Sequence, residues 1–164
     1  MSEALEGWTD FNVAMVGATA ALAGLLIVAM SVNIATIMTS ATLPPRAAAA
    51  IASLLLALVA GAFGLVPSQP DVAYGVEVLV ATLVAAAFQW HAIRVIIRED
   101  TVSAADRVAK SAAGVLPIAA FFVGSVLVLA GSAGAGLVAV GVGSVLAVIA
   151  AILMAWVVLV EVLR

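Results

Sequence analysis

Polar side chains recur every seven residues through the first long apolar stretch of the chain. The register holds Asn12, Thr19, Asn33 and Ser40, and Leu26 fills the remaining place. Seven residues are close to two turns of an α-helix, so these side chains would share one stripe. Facing a symmetry axis between copies, the stripe would line a narrow polar pore with Leu26 as an apolar constriction. The alternative is that the same side chains make contacts and hydrogen bonds between helices, and both alternatives stay open.

One acid and one histidine also lie within or near predicted spans. Glu77 lies about one turn inside the outer end of the third apolar stretch, where the stretch begins. An ionisable side chain in a membrane can mark an ion or proton path. A carboxylate at this depth also reaches water at the interface, which is the structural alternative. His91 has Gln89, Trp90 and Arg94 as neighbours. Without acidic or cysteine partners nearby it cannot hold a metal, so we expect an interfacial side chain.

Patterns of catalysis and cofactor binding are absent from the sequence. No nucleophile stands beside a base, and no two acids have catalytic spacing. The glycine-rich segment 131–136 lacks the lysine and the following hydroxyl residue of a phosphate-binding loop. Cysteine is absent, which excludes disulfides and thiolate metal sites. We therefore expect a protein that is not an enzyme and that binds no cofactor and no metal.

The composition indicates the class of protein. Of 164 residues, 66% are hydrophobic and only 9% are charged, whereas soluble domains carry about 25% charged residues. No polar block is long enough to fold separately, so the expected fold is an all-α, polytopic transmembrane helix bundle that forms one domain over 1–164. The apolar composition predicts the lipid bilayer as a partner. The net charge of -3 is small and there is no basic cluster, so nothing indicates binding of nucleic acid.

Five apolar stretches are long enough to cross a bilayer, which needs about 20 helical residues. The predicted spans are 11–38, 46–66, 72–97, 112–130 and 137–163. Pro44 and Pro67 mark the first two breaks, and Pro117 predicts a kink within the fourth span. Because residues 112–160 carry no charge, the glycine-rich segment 131–136 is the only break available there, and it predicts a hairpin. The alternative is four spans, with the first or last segment lying in the interface.

The charges favour one orientation, because positive residues prefer the cytoplasmic side of short loops. With five spans and the N-terminus outside, all six lysines and arginines fall inside: Arg46, Arg94, Arg98, Arg107, Lys110 and Arg164. We expect an aromatic belt with Trp8 and Tyr74 at the outer interface and Trp90 and Trp156 near the inner one. The C-terminus is then cytoplasmic.

Small residues at helical spacing predict where helices approach closely. The clearest stripe is in the fifth span, where Ala139, Gly143, Ala147 and Ala151 recur every four residues. The first span pairs Gly17 with Ala21 and Ala20 with Gly24. Such stripes pack either within one chain or between subunits, and the sequence leaves both open.

Residues 20–69 resemble a family of small multi-span proteins from high-GC bacteria. The resemblance lies in SVNI at 31–34, LPPRA at 43–47 and LVPSQ at 65–69, although the family pattern would have glycine at Ser68. Members are sometimes labelled modulators of the FtsH protease. The resemblance implies no more than that label, and it assigns no functional residue. We expect a location in the bacterial plasma membrane.

The sequence thus predicts a non-enzymatic membrane subunit or modulator. It would dock helices against a larger membrane protein or against copies of itself, since little of the chain lies outside the bilayer. The alternative function is a homo-oligomeric ion channel whose first helix lines the pore.

Overall fold

The computed structural model describes the backbone of residues 3–98 and 104–161, which is helical and contains no strand. The helices are α1 (Glu3–Glu6), α2 (Thr9–Val32), α3 (Ile34–Ile37), α4 (Leu43–Phe63), α5 (Asp71–Ile97), α6 (Ala104–Leu129) and α7 (Ala133–Trp156), which continues into a π-helical turn, Val157–Glu161. Within the described residues, five helices are long and apolar enough to cross a membrane: α2, α4, α5, the Ser111–Leu129 part of α6, and α7 to Val160. The predicted all-α fold with five such helices is confirmed.

The first two predicted spans differ from the observed helices α2 and α4 in their limits, and the reasons are local. The first span was expected over 11–38, but α2 ends at Val32 and α3 follows after a break at Asn33. The Asn33 side chain donates from Nδ2 to the carbonyl of Ala29 at 3.1 Å, which satisfies an acceptor near the helix end. The second span was expected from 46, but α4 begins at Leu43 because Pro44 and Pro45 occupy its first turn, where an N–H is not needed.

The last hairpin is tighter than the segment 131–136 suggested. Gly131 has a φ of 83°, and the Ser132 N–H donates to the carbonyl of Leu127 at 2.9 Å while the Gly131 N–H donates to that of Val128 at 3.0 Å. This is a Schellman motif, so three residues suffice for the turn and α7 starts at Ala133 instead of 137. Residues 162–163 of the predicted fifth span lie outside the described residues.

The four helices α4 to α7 form the body of the bundle. Each packs on the next along the chain, and α7 returns against α4. The helix α2 lies outside this group and packs on α4 and α7. Its position at the edge leaves one long side of α2 facing outward.

The main buried cluster lies among these four helices and is closed at one end by α1. Leu5 of α1 is fully buried in it together with Leu56, Phe121 and Val140. Tyr74 also belongs to this cluster and is 1% exposed. The prediction that Tyr74 is part of an aromatic belt was therefore wrong, because its ring packs inward. Trp90 and Trp156, by contrast, are exposed.

Candidate functional site

The seven-residue stripe of α2 faces the chain's own helices. Thr19 and Leu26 are 0% and 1% exposed, and the Thr19 hydroxyl donates to the carbonyl of Met15 at 2.6 Å. Asn33 is half-buried at the helix break. Ser40 accepts a hydrogen bond from the N–H of Leu43 at 3.3 Å, at the start of α4. These residues thus serve helix contacts and helix ends within one chain.

Asn12, the first member of the stripe, is pressed against the end of α4. It is 6% exposed, and a Cβ atom at Gly64 would lie 2.5 Å from its Nδ2. This Nδ2 has no hydrogen-bond partner among the described residues. A glycine at 64 is therefore what allows the carboxamide to fit against the end of α4.

The small-residue stripe of α7 is packed within the chain. Gly143, Ala147 and Ala151 are buried, and Ala139 is half-buried. A Cβ atom at Gly143 would lie 2.9 Å from the ring of Phe121. The stripe therefore accommodates neighbouring helices of the same molecule.

Glu77 has a partner that the sequence analysis missed. Gln69, which is 8% exposed, donates from Nε2 to Oε2 of Glu77. The signal was the turn between Pro67 and Pro70, which brings Gln69 back over the start of α5. Near the other end of α5, His91 is exposed, and the Arg94 guanidinium lies 5.1 Å from the centre of the Trp90 ring.

The outward side of α2 carries small residues without neighbours. We call Gly17, Ala21, Gly24 and Val28 the α2 outer face; they stand at i, i+4, i+7 and i+11 and are exposed. A Cβ atom at Gly17 or at Gly24 would meet nothing within 4 Å. The α2 span is the least buried of the five, at 22%, against 28% of the α5 and α6 spans and 44% of the α4 and α7 spans. The shallow groove of the α2 outer face is therefore open.

Most glycines elsewhere in the bundle lack the free space that surrounds Gly17 and Gly24. A Cβ atom would lie 3.0 Å or less from a neighbouring side chain or backbone atom at Gly61, Gly75, Gly114, Gly124, Gly136, Gly141 and Gly143. Gly134, in the first turn of α7, is the one glycine of helices α4 to α7 with free space around it. Glycine destabilises a helix by about 1 kcal/mol relative to alanine. In the middle of a span, glycine in this molecule marks close helix contact, and the contact is missing only on α2.

No protein-family model, no curated protein and no solved structure matches this chain. The resemblance of residues 20–69 to the FtsH-modulator family stays a prediction.

Proposed function

We propose that this chain is a non-enzymatic membrane subunit or modulator that docks a transmembrane helix against the α2 outer face. The docked helix belongs to another membrane protein or to a second copy of the chain. The observation that supports this is the free space at Gly17 and Gly24, in a molecule whose other mid-span glycines are in close contact with neighbouring helices.

The membrane itself explains why such a face is suited to docking. Lipid tails are as apolar as leucine, so two helices gain little from hiding apolar side chains from lipid. Association depends instead on close van der Waals contact, which glycine and alanine permit by letting the backbones approach. The spacing of Gly17, Ala21 and Gly24 gives small residues on successive turns of one helix side. A partner helix can therefore lie along about ten residues of α2.

The proposed setting is the bacterial plasma membrane, with the N-terminus outside and the C-terminus in the cytoplasm. It is supported by the six positive residues, which this orientation puts on the inner side. The resemblance to proteins labelled FtsH modulators agrees with a role in binding a larger membrane protein. The channel alternative gains no support from the placement of its residues. Asn12, Thr19 and Leu26 are buried within one chain, so a pore along them would require α2 to leave α4 and α7.

Cross-linking tests the docking proposal directly, because the chain has no cysteine of its own. Ala21→Cys places a single thiol on the α2 outer face. The matched control is Ala87→Cys, an alanine that is also exposed but lies on α5. In native membranes we expect Ala21→Cys to give a discrete product: a disulfide-linked pair of chains after oxidation, or an adduct with one foreign protein after a bifunctional thiol reagent. Equal cross-linking at both positions would contradict the proposal.

A second variant separates docking from folding. Gly17→Leu combined with Gly24→Leu fills the groove, and a Cβ atom at either position meets nothing within 4 Å, so the unfolding midpoint should not fall. With Val28→Cys as the thiol, we expect the cross-linked product to decrease about tenfold, the effect of losing about 1.4 kcal/mol of association. A product that persists in full would show that the groove is not the contact.

A further inference from the structure

A cavity of about 340 Å³ lies between α4, α5, α6 and α7, at the end of the bundle where α4 begins. It extends from the level of Arg46 to that of Ser53, seven residues or about 10 Å along α4. One turn beyond Ser53, Leu56 and Ala57 belong to the main buried cluster and close the cavity. The α4–α7 cavity is thus a pocket with one closed end, and its volume is within the lower range of small-molecule sites.

The closed end of the cavity is polar. Ser53 and Gln89 line it, and they are 2% and 6% exposed. No described residue forms a hydrogen bond with either side chain. Gly114 makes room for Gln89, because a Cβ atom there would overlap its carboxamide. Two buried polar side chains therefore have their hydrogen-bonding capacity unused.

A backbone carbonyl adds an acceptor to the same region. Pro117 lies inside α6 and has no N–H, so the carbonyl of Ala113 lacks its usual donor four residues on. Ala113 lines the cavity beside Gly114. The closed end thus offers donors from Ser53 and Gln89 and acceptors from both and from Ala113.

The other end of the cavity, near the start of α4, is lined by an arginine. Arg46 lines it, and although Arg46 also interacts within the chain, a guanidinium has five N–H donors and can serve more than one acceptor. The wall between the two ends is made of small and apolar side chains, among them Ala49, Ala92 and Ala150.

These features select a class of ligand. A hydrocarbon chain would leave Ser53 and Gln89 unpaired, at a cost of about 1–3 kcal/mol each. A guanidinium donates hydrogen bonds and accepts none, so Arg46 favours a ligand with acceptor oxygens over a cation. A cavity of about 150 Å³ holds benzene, so 340 Å³ accommodates about a dozen non-hydrogen atoms.

We propose that the α4–α7 cavity binds a small organic acid. Its carboxylate meets Arg46, and a hydroxyl at its other end hydrogen-bonds with Ser53 and Gln89. No residue of the α2 outer face lines the cavity, so this proposal and the docking proposal can fail separately.

Calorimetric titration of the full chain in detergent micelles tests it with three probes. 4-Hydroxybenzoate has both polar ends, benzoate lacks the hydroxyl, and phenol lacks the carboxylate. We expect saturable binding of 4-hydroxybenzoate, about tenfold tighter than that of benzoate or phenol, because each lost hydrogen bond or charge pair weakens binding by about that factor. In the Gln89→Leu variant, the hydroxyl should give no advantage, so this variant should bind 4-hydroxybenzoate no more tightly than it binds benzoate.

Substitutions that fill the cavity test whether the probes bind there or only partition into the detergent micelle. Ala150→Phe should abolish saturable binding, and Ala87→Phe, on the exposed side of α5, should not. Ala50→Leu fills the cavity from another wall if Ala150→Phe does not fold, as judged by the unfolding midpoint. The proposal is overturned if none of the three probes binds saturably, which would indicate a hydrated cavity only, or if binding survives in the folded filling variant.

Discussion

At the scale of the residue, the glycines are of two kinds. Those with close neighbours mark helix contacts within the chain, and those of α2 with free space mark the face that we propose for docking. Helices α6 and α7 approach each other closely at Gly124 and Gly136. A Cβ atom at Gly136 would lie 2.7 Å from the carbonyl oxygen of Gly124, and one at Gly124 would lie 2.9 Å from that of Gly136. Both neighbours are backbone atoms, which cannot move aside without moving a helix. The hairpin of α6 and α7 is therefore closed by a reciprocal pair of glycines.

We expect Gly136→Ala to lower the free energy of unfolding by about 1–3 kcal/mol, the usual effect of overpacking. The matched variant Gly24→Ala should leave it unchanged or raise it by up to about 1 kcal/mol, because its surroundings are empty and alanine favours helix. Denaturant titration in micelles, followed by circular dichroism, measures both. Equal losses in the two variants would show that the hairpin does not depend on this contact.

Among the polar residues, Asn12 shows what spacing alone does not reveal. Its place in the stripe was evident from the sequence, but its contact with Gly64 was not. That contact joins residues 52 positions apart in the chain, and it depends on how α2 lies on α4.

At the scale of the element, two turns put a residue in the left-handed region. Gly131 has a φ of 83° and Ser68 a φ of 59°. An L-residue with a Cβ atom is destabilised there by about 1–2 kcal/mol, and glycine is not. Ser68 therefore has a backbone conformation that favours glycine.

Opposite substitutions at these turns should have opposite effects. Ser68→Gly should raise the free energy of unfolding by up to about 1 kcal/mol, because it removes a strained φ, and Gly131→Ala should lower it by about 1 kcal/mol or more, because it introduces one. A Cβ atom at Gly131 would meet nothing within 4 Å, so crowding does not enter the comparison. The unfolding midpoints of the two variants and of the unaltered chain measure these effects. A Ser68→Gly variant that is less stable than the unaltered chain would contradict the prediction that Ser68 is strained.

Helix α2 itself was predictable in its periodicity, but neither its C-terminal end nor the side that it turns towards the other helices was. Its seven-residue stripe was expected on one side, and Thr19 and Leu26 do share a buried side. The sequence left open whether that side faces a symmetry axis or the same chain. In the structure, α4 and α7 both pack on α2.

At the scale of the whole molecule, an odd number of crossings puts the two ends on opposite sides of the membrane. Five of the described helices are long enough to cross, and the positive residues favour a cytoplasmic C-terminus. We expect a reporter enzyme that is active only outside the membrane to work when fused before Met1 and to fail when fused after Arg164. A reporter that is active only in the cytoplasm should give the reverse result. Both ends on one side would exclude five crossings.

The sequence by itself determined the class of fold and the number of long helices. Membrane spans can be predicted from the sequence because helical hydrogen bonds are local and a bilayer imposes a minimum apolar length on each crossing. The prolines and glycines placed the turns to within a few residues for the same local reasons.

Only the tertiary structure decided which side of each helix is covered. In a membrane, apolar side chains face lipid and protein alike, so hydrophobicity does not distinguish the two sides as it does in a soluble protein. The inward position of Tyr74, the contact of Gly124 with Gly136, the cavity beside Ser53 and Gln89 and the open α2 outer face all depend on which helices are neighbours. Such contacts join residues distant in the chain, and no local pattern in the sequence encodes them.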